Sequence, residues 1–335
     1  MKLSIGIVGL PNVGKSTLFK TLTNQDINIA NYPFATIDPN VGIVQVPDER
    51  LSKLADLSNS KKIIPAVVEF YDIAGLVKGA NKGEGLGNQF LTHIRETQAI
   101  VIVLRAFNDS NIIHVENSVD PIRDLEIINT ELVLKDLETV EKRLGSLEKE
   151  AKIKTTPEGK SAAKNFEVLK QVKDELIKNN LALKFASEDI VKELQLLTAK
   201  KQLYLLNGEE SEIGDALRQK IKNLSADYLV KNLSQNQEIG DLIKKSYEVL
   251  NLISFLTTGE DETRAWTIKK GMKAPEAAGV IHTDFEHKFI RAEVVYWQKL
   301  LEAGSWAKAR EKGLLRLEGK EYVVQDGDVI VVRHG

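Results

Sequence analysis

Nine residues near the amino terminus, Gly9-Leu10-Pro11-Asn12-Val13-Gly14-Lys15-Ser16-Thr17, place Gly, four intervening residues and then Gly-Lys-Ser in one loop. That spacing suits a triphosphate. Backbone N–H groups of such a loop turn inward, the glycines permit the tight path, a lysine reaches the β- and γ-oxygens, and a hydroxyl is free for Mg2+. Asn12, Val13, Gly14, Lys15, Ser16 and Thr17 are therefore candidate nucleotide-binding residues, with Lys15 also stabilising transition-state charge and Ser16 a metal ligand. A hydrolase of this kind also needs a γ-phosphate sensor, and Asp72-Ile73-Ala74-Gly75 fits that need. Asp72 would hold Mg2+ through water, and Gly75 would offer its N–H to the γ-phosphate. Asp-x-x-Gly alone is an ordinary turn, but here it ends an apolar run and precedes the glycine-rich Gly79-Ala80-Asn81-Lys82-Gly83-Glu84-Gly85-Leu86-Gly87, a candidate switch. Thr36 in Asn31-Tyr32-Pro33-Phe34-Ala35-Thr36-Ile37 stands between two readings, a further Mg2+ ligand or a simple loop threonine.

These groups need a scaffold, and the apolar pattern indicates one. Leu3 to Val8 reads as a buried parallel strand that runs into the Gly9 loop, with a helix from Ser16. Pro65 to Tyr71, Ala99 to Ala106 and Gln202 to Leu206 are similar runs, far enough apart for crossover connections, so a parallel α/β sheet is expected. From Leu125 the period changes. Leu125, Ile128, Leu132, Leu137, Val140, Leu144 and Leu147 recur at helical spacing, Lys154-Thr155-Thr156-Pro157-Glu158-Gly159 signals a turn, and Phe166, Leu169, Val172 and Leu176 resume the stripe. This predicts an inserted antiparallel helical hairpin, the alternative being an ordinary crossover helix and its neighbour. After Leu252 the short runs Glu293–Tyr296, Glu321–Val324 and Val329–Val332 predict strands of a small α+β domain. The expected division is 1–124 with 198–251 for the nucleotide domain, 125–197 for the hairpin and 252–335 for the last domain.

Composition narrows the class. The 335 residues suffice for about two domains, and 46 basic against 48 acidic residues leave a net charge of −2. Bulk charge does not point to nucleic acid. The absence of cysteine excludes disulfides, thiolate zinc sites and a cysteine nucleophile. No run approaches the ~20 apolar residues that cross a membrane, and the amino terminus lacks a cleavage signal. A cytoplasmic protein is expected.

The phosphate loop, Tyr32-Pro33-Phe34-Ala35-Thr36-Ile37, Asp72-Ile73-Ala74-Gly75-Leu76-Val77-Lys78-Gly79-Ala80, Gly83-Glu84-Gly85-Leu86-Gly87-Asn88-Gln89-Phe90-Leu91, and the later Arg264-Ala265-Trp266-Thr267-Ile268 and Ala277–Phe285 together resemble the YchF (Obg-like ATPase) family of translation-factor-related P-loop NTPases. The likeness spans nearly the whole chain. It implies a Ras-like, Obg-type G domain interrupted by a helical hairpin and followed by a ubiquitin-like TGS domain, with ATP preferred and ribosomes, through ribosomal RNA on the large subunit or the whole particle, as partner. A monomer without membrane association is expected.

The base-recognition stretch agrees with ATP. Guanine-specific proteins use Asn-Lys-x-Asp, whose aspartate accepts from guanine N1–H and the 2-amino group, whereas the run after the fourth strand is Asn207-Gly208-Glu209-Glu210. Asn207 can pair with N7 and the 6-amino group of adenine. Glu210 occupies the fourth place, and Ser225-Ala226 resembles the last base-binding element, a short loop after the final strand. Water activation is less direct, because Leu76 stands where Ras-like enzymes carry glutamine. The family resemblance implicates His114, whose imidazole could orient or deprotonate water; a structural histidine is the other reading, and His93 a rival. Two basic clusters, Lys269-Lys270-Lys273 and Lys308-Arg310-Lys312-Arg316, are solvated faces or, on the TGS resemblance, RNA contacts. Rival functions are an Obg-class GTPase and a nucleotide-gated binding protein with negligible turnover.

Overall fold

The apolar run Ala99–Arg105 is buried at every residue, which is what a central strand covered on both faces requires. The structure is a computed structural model that describes residues 3–23, 40–72, 94–153, 155–235 and 239–335. Thr36, Gly75, Leu76 and His93 lie outside the described residues. In chain order the strands are β1 (Ser4–Val8), β2 (Val41–Gln45), β3 (Ile63–Ile64), β4 (Val67–Asp72), β5 (Ala99–Arg105), β6 (Lys201–Asn207), β7 (Asp227–Lys231), β8 (Leu252–Thr258), β9 (Thr263–Lys269), β10 (Phe289–Tyr296), β11 (Arg316–Glu318) and β12 (Asp328–His334). The helices are α1 (Lys15–Thr23), α2 (Glu49–Ser58), α3 (Pro121–Glu150), α4 (Pro157–Ile177), α5 (Asp189–Glu193), α6 (Asp215–Asn223), α7 (Gly240–Val249), α8 (Ala274–Ile281), α9 (Thr283–His287), α10 (Trp297–Ala303) and α11 (Trp306–Glu311).

The chain forms two units. Among the described residues the first gathers 3–23, 40–42, 69–72, 94–153 and 155–235, and the second 43–68 and 239–335. The first unit carries the expected parallel sheet, ordered β4-β1-β5-β6-β7. Asn40, just before β2, accepts from the Asp72 N–H at 2.8 Å. The pairings among these five strands are all parallel, so the carboxyl ends of β1, β4, β5, β6 and β7 share one edge, the place where open α/β sheets bind ligands.

The helical pattern from Leu125 becomes the α3–α4 hairpin. Asp120 caps α3 by accepting from the Ile122 and Arg123 N–H groups, with Pro121 in the first turn; Thr156 caps α4 the same way, with Pro157 following. Val133, Val140, Leu147, Leu169, Val172 and Leu176 fill the seam. Asp136 is fully buried on α3, and its carboxylate accepts from the Leu197 and Thr198 N–H groups and the Thr198 hydroxyl at 2.7–3.0 Å, with Arg95 at 3.8 Å. Burial pushes this carboxyl above the ordinary range while those contacts oppose it. The chain returning from the hairpin is thereby fixed before it enters β6.

The second unit has a mixed sheet ordered β11-β10-β12-β8-β9-β3. Its last long strand, β12, lies parallel to β8 between that strand and the antiparallel β10, and α8 connects the two halves, the arrangement expected of a ubiquitin-like domain. Phe255, Ile268, Ala277, Phe289, Val294 and Ile330 form its core, with Trp266 and Phe285 packed against it. Segment 43–68 joins this unit. Ile63 and Ile64 pair with Thr263 and Arg264, and the Arg50 guanidinium bridges Asp48 and Asp326 at 2.8 and 2.6 Å.

One strand expectation is corrected. Glu321–Val324 forms an isolated bridge between Val323 and Lys273, while the third short strand is β11 at Arg316–Glu318. The Tyr322 carbonyl accepts from Ala274 N–H and the Val324 N–H donates to the Met272 carbonyl, so this segment spends its backbone groups on the entrance to α8.

Candidate functional site

The phosphate loop is built by β1 ending at Val8 and α1 beginning at Lys15. Gly14 sits at φ 105°, and a Cβ there would lie 2.5 Å from the Asn207 amide nitrogen, so only glycine satisfies both backbone and neighbour. Gly9 is confined differently, since a Cβ would meet the Val103 carbonyl oxygen at 2.7 Å. Asn12 takes a left-handed conformation, φ 61°, which asparagine tolerates. Ser16 and Thr17 are exposed at the first turn of α1, and Val13 is buried beneath the loop.

Lys15 is 8% exposed, and its Nζ donates to the Leu10 carbonyl at 2.8 Å. Burial lowers its pKa to about 8, with Asp72 opposing the shift. Asp72, at the carboxyl end of β4 and in register with Ile7, is pushed up by burial and held down by Lys15. The loop thus holds a lysine ready to gain from a polyanion and a carboxylate beside it. Among the described residues no cluster of three or more His, Cys, Asp or Glu forms a metal site.

Asn207 ends β6 and is 3% exposed. Its Nδ2 donates to the Val13 carbonyl at 2.9 Å, and its Oδ1 accepts from the Leu233 N–H at 3.0 Å, so it ties the phosphate loop to the segment after β7. An amide has two donors and two lone pairs, and these two contacts use one of each. Glu209 accepts from Asn232 Nδ2 at 2.7 Å, and Glu210 pairs with Arg218 at 2.5 Å.

Ser225 and Ala226 require a correction. They precede β7, in the left-handed turn that ends α6 (Ser225 φ 55°), whereas the base-binding element was expected after the final strand. Asn207 is in register with Lys231, so Ser225-Ala226 lies at the opposite end of a strand five residues long, roughly 15 Å from the ligand edge. The segment at that edge is Asn232-Leu233-Ser234, whose Leu233 N–H bonds Asn207. The apolar run Tyr228-Leu229-Val230 was the available signal, because it identifies the final strand and therefore the loop that follows it.

His114 follows β5 in a loop fastened to the phosphate loop, since Asn12 Nδ2 donates to the Ile113 carbonyl at 3.0 Å. Arg105, 1% exposed, donates to the carbonyls of Phe107, Asp109 and Ile112 and so shapes the same loop. The imidazole is 5% exposed. Its Nδ1 accepts from the Glu116 N–H at 3.1 Å, which leaves Nε2 to carry the proton and donate to Asp124 at 2.8 Å. In this arrangement neither ring nitrogen meets solvent.

A parallel sheet whose first strand runs into Gly-x4-Gly-Lys-Ser, with an aspartate ending the adjacent strand and an asparagine ending β6, defines a P-loop NTPase of the G-domain class. Residues 4–141 match the family model described as "50S ribosome-binding GTPase", and residues 252–335 match the YchF carboxyl-terminal model described as "Protein of unknown function (DUF933)". The chain belongs to the YchF family. It is 50% identical over 367 aligned residues to the Ribosome-binding ATPase YchF of Bacillus subtilis, covering 99% of both chains. It is 41% identical to Obg-like ATPase 1 of Gallus gallus, covering 98% of this chain and 91% of the other. The solved structure of the Schizosaccharomyces pombe YchF GTPase superposes with a TM-score of 0.82 at 40% identity, covering 99% of this chain and 98% of that one.

Proposed function

We propose that this protein is an ATP-hydrolysing switch that associates with ribosomes, water attacking the γ-phosphate in a site formed by the phosphate loop, Asp72 and the base edge of β6. The names of its relatives, Ribosome-binding ATPase among them, support the partner and the reaction class. The single observation that carries the nucleotide choice is the Asn207–Glu210 run. It lacks the lysine of the guanine motif, and among the described residues both of its carboxylates already have partners, Glu209 in Asn232 and Glu210 in Arg218, which weakens what either could offer guanine N1–H and the 2-amino group. Asn207 keeps one donor and one acceptor for the N7 and 6-amino edge of adenine.

The hydroxyl of Ser16 and the carboxylate of Asp72 are hard oxygen donors of the kind Mg2+ takes, with Thr36 a further candidate. Mg2+ bound with the nucleotide would neutralise charge on the β- and γ-oxygens. Lys15 adds charge stabilisation, Gly75 is assigned the role of offering its N–H to the γ-phosphate, and His114 that of acting on the attacking water once the 107–117 loop releases it from Asp124. The buried, doubly bonded imidazole favours slow turnover in the free protein, and that observation supports a second reading, a nucleotide-gated binding protein with negligible turnover. The proposed domains are 1–124 with 198–251, 125–197, and a TGS domain at 252–335. Among the described residues no helix is long and apolar enough to cross a membrane. The proposed working form is a monomer in the cytoplasm, where its ribosomal partner resides.

Single-turnover ATP hydrolysis with and without purified ribosomes tests the reading. A rate accelerated by ribosomes and abolished in Lys15→Ala is expected. A rate unchanged by ribosomes and retained in Lys15→Ala would overturn it.

A further inference from the structure

The loop that carries His114 is turned the wrong way out for its composition. Within Ile112-Ile113-His114-Val115 the one polar side chain is buried, while Ile112, Ile113 and Val115 are exposed, Ile113 at 76%. A buried imidazole among exposed aliphatic neighbours is the reverse of what transfer from water favours, so specific contacts must hold the pose. Held this way, His114 can take no proton from water. Its Nδ1 lone pair is spent on the Glu116 N–H, and Nε2 already carries a proton that it donates to Asp124.

The carboxylate that holds Nε2 belongs to the hairpin. Asp124 lies in the first turn of α3 and is fully buried, and its other oxygen accepts from Arg123 Nη2 at 3.1 Å. Arg123 is tied back in turn to the Ser118 hydroxyl and carbonyl, so the carboxylate is fixed from behind. Withdrawing an acid from water is costly, and the helix has no need of this one, since Asp120 already caps it. Its distinctive partner is the histidine. Roughly 18 Å farther along α3, at about 1.5 Å per residue, Asp136 fixes Leu197 and Thr198, and a turn beyond it Thr139 accepts from Arg95 Nη2 at 2.7 Å. One continuous helix therefore joins the histidine loop to the chain that returns from the hairpin, and a displacement of the hairpin is carried to Asp124.

We infer that Asp124 is a positioning residue that works as a catch: in the free protein it keeps His114 from the attacking water, and movement of α3 releases it. This names the regulation of the site proposed above and rests on the reading that His114 acts on that water. Once freed, the loop can turn its histidine out and its aliphatic side chains in, and the apolar burial offsets the lost hydrogen bond.

The test is single-turnover ATP hydrolysis by the full chain, with and without purified ribosomes. Asp124→Ala removes the acceptor and should raise the ribosome-free rate about tenfold, equivalent to ~1.4 kcal/mol, the scale of one hydrogen bond. With the catch already open, stimulation by ribosomes should shrink by the same factor. Asp124→Asn keeps the shape and a weaker, neutral acceptor, and should give a smaller rise; it decides the matter if Asp124→Ala does not fold. In Asp124→Ala combined with His114→Ala the gain should vanish. An unchanged or lower ribosome-free rate in the Asp124 variants would overturn the inference, as would a gain that survives loss of His114 or ribosomal stimulation as large as in the wild type. A wild-type rate in His114→Ala alone would defeat the catalytic reading, and the inference with it. Slow hydrolysis in His114→Ala with no gain in either Asp124 variant would defeat the catch and leave that reading standing.

Discussion

Lys15 makes nucleotide affinity depend on pH in a way that follows from its burial. In the free protein its ammonium has a pKa of about 8 rather than 10.5, because the site withdraws it from water more than Asp72 compensates. A bound triphosphate adds negative charge at the ammonium and must raise that value. Above pH 8, therefore, binding requires the protein to take up a proton, and affinity falls as pH rises. The protonated fraction is about 0.9 at pH 7 and about 0.09 at pH 9, so the loss is about tenfold, or ~1.4 kcal/mol. It should level off once pH passes the pKa of the bound state. Phosphate monoesters complete their second ionisation near pH 6, so the nucleotide contributes little to a titration from pH 7.5 to 9.5. Titrating a fluorescent ATP analogue over that window measures the slope, and calorimetry in two buffers of different ionisation heat counts the protons. Asp72→Asn, measured without Mg2+, should move the decline to lower pH, because the carboxylate is what raises the lysine's pKa. Affinity constant from pH 7.5 to 9.5, with no proton uptake, would refute the reasoning.

Asn207→Ala leaves the buried Val13 carbonyl and Leu233 N–H without partners and should cost roughly 2–4 kcal/mol, read as lower thermal stability and weaker binding of both ATP and GTP. His114→Ala should slow single-turnover hydrolysis by ~10²- to 10⁴-fold while ATP affinity changes little, and a wild-type rate at saturating ATP would return the residue to a purely structural role. Asp136→Ala removes three buried hydrogen bonds at the base of the hairpin and should destabilise the protein by ~3–5 kcal/mol in denaturant unfolding; a loss under ~1 kcal/mol would contradict the anchoring assigned to it.

Much of this was legible because the informative signals are local. Gly9 to Thr17 lies between an apolar strand and a helix, and its chemistry is contained in nine consecutive residues. The α3–α4 hairpin was equally plain, since its period persists through two capped helices. Contacts between distant segments left no such trace. Nothing in Ile63-Ile64 announces that it pairs with Thr263-Arg264, because two apolar residues fit any sheet edge, and Arg50 meets Asp326 across 276 positions of chain. The misplaced expectation for Ser225-Ala226, which precedes rather than follows the final strand, has the same origin. A small residue pair carries no register of its own, and the register is fixed only by the pairing of Asn207 with Lys231. His114 illustrates a different limit. Its residue type suited proton transfer, but the tertiary contacts with Asp124 and Glu116 decide which nitrogen holds the proton and whether either meets water.

The central claim is that the site at the end of β6 accepts adenine and does not select guanine. Competitive titration of ATP and GTP against one fluorescent nucleotide, on the same preparation with Mg2+ present, tests it most directly. ATP should bind at least as tightly as GTP, since Gly208 stands where the guanine motif needs lysine and Glu210 is paired with Arg218. A tenfold difference is only about 1.4 kcal/mol, within the reach of one well-made hydrogen bond, so the comparison is sensitive. GTP binding tenfold tighter than ATP would contradict the account.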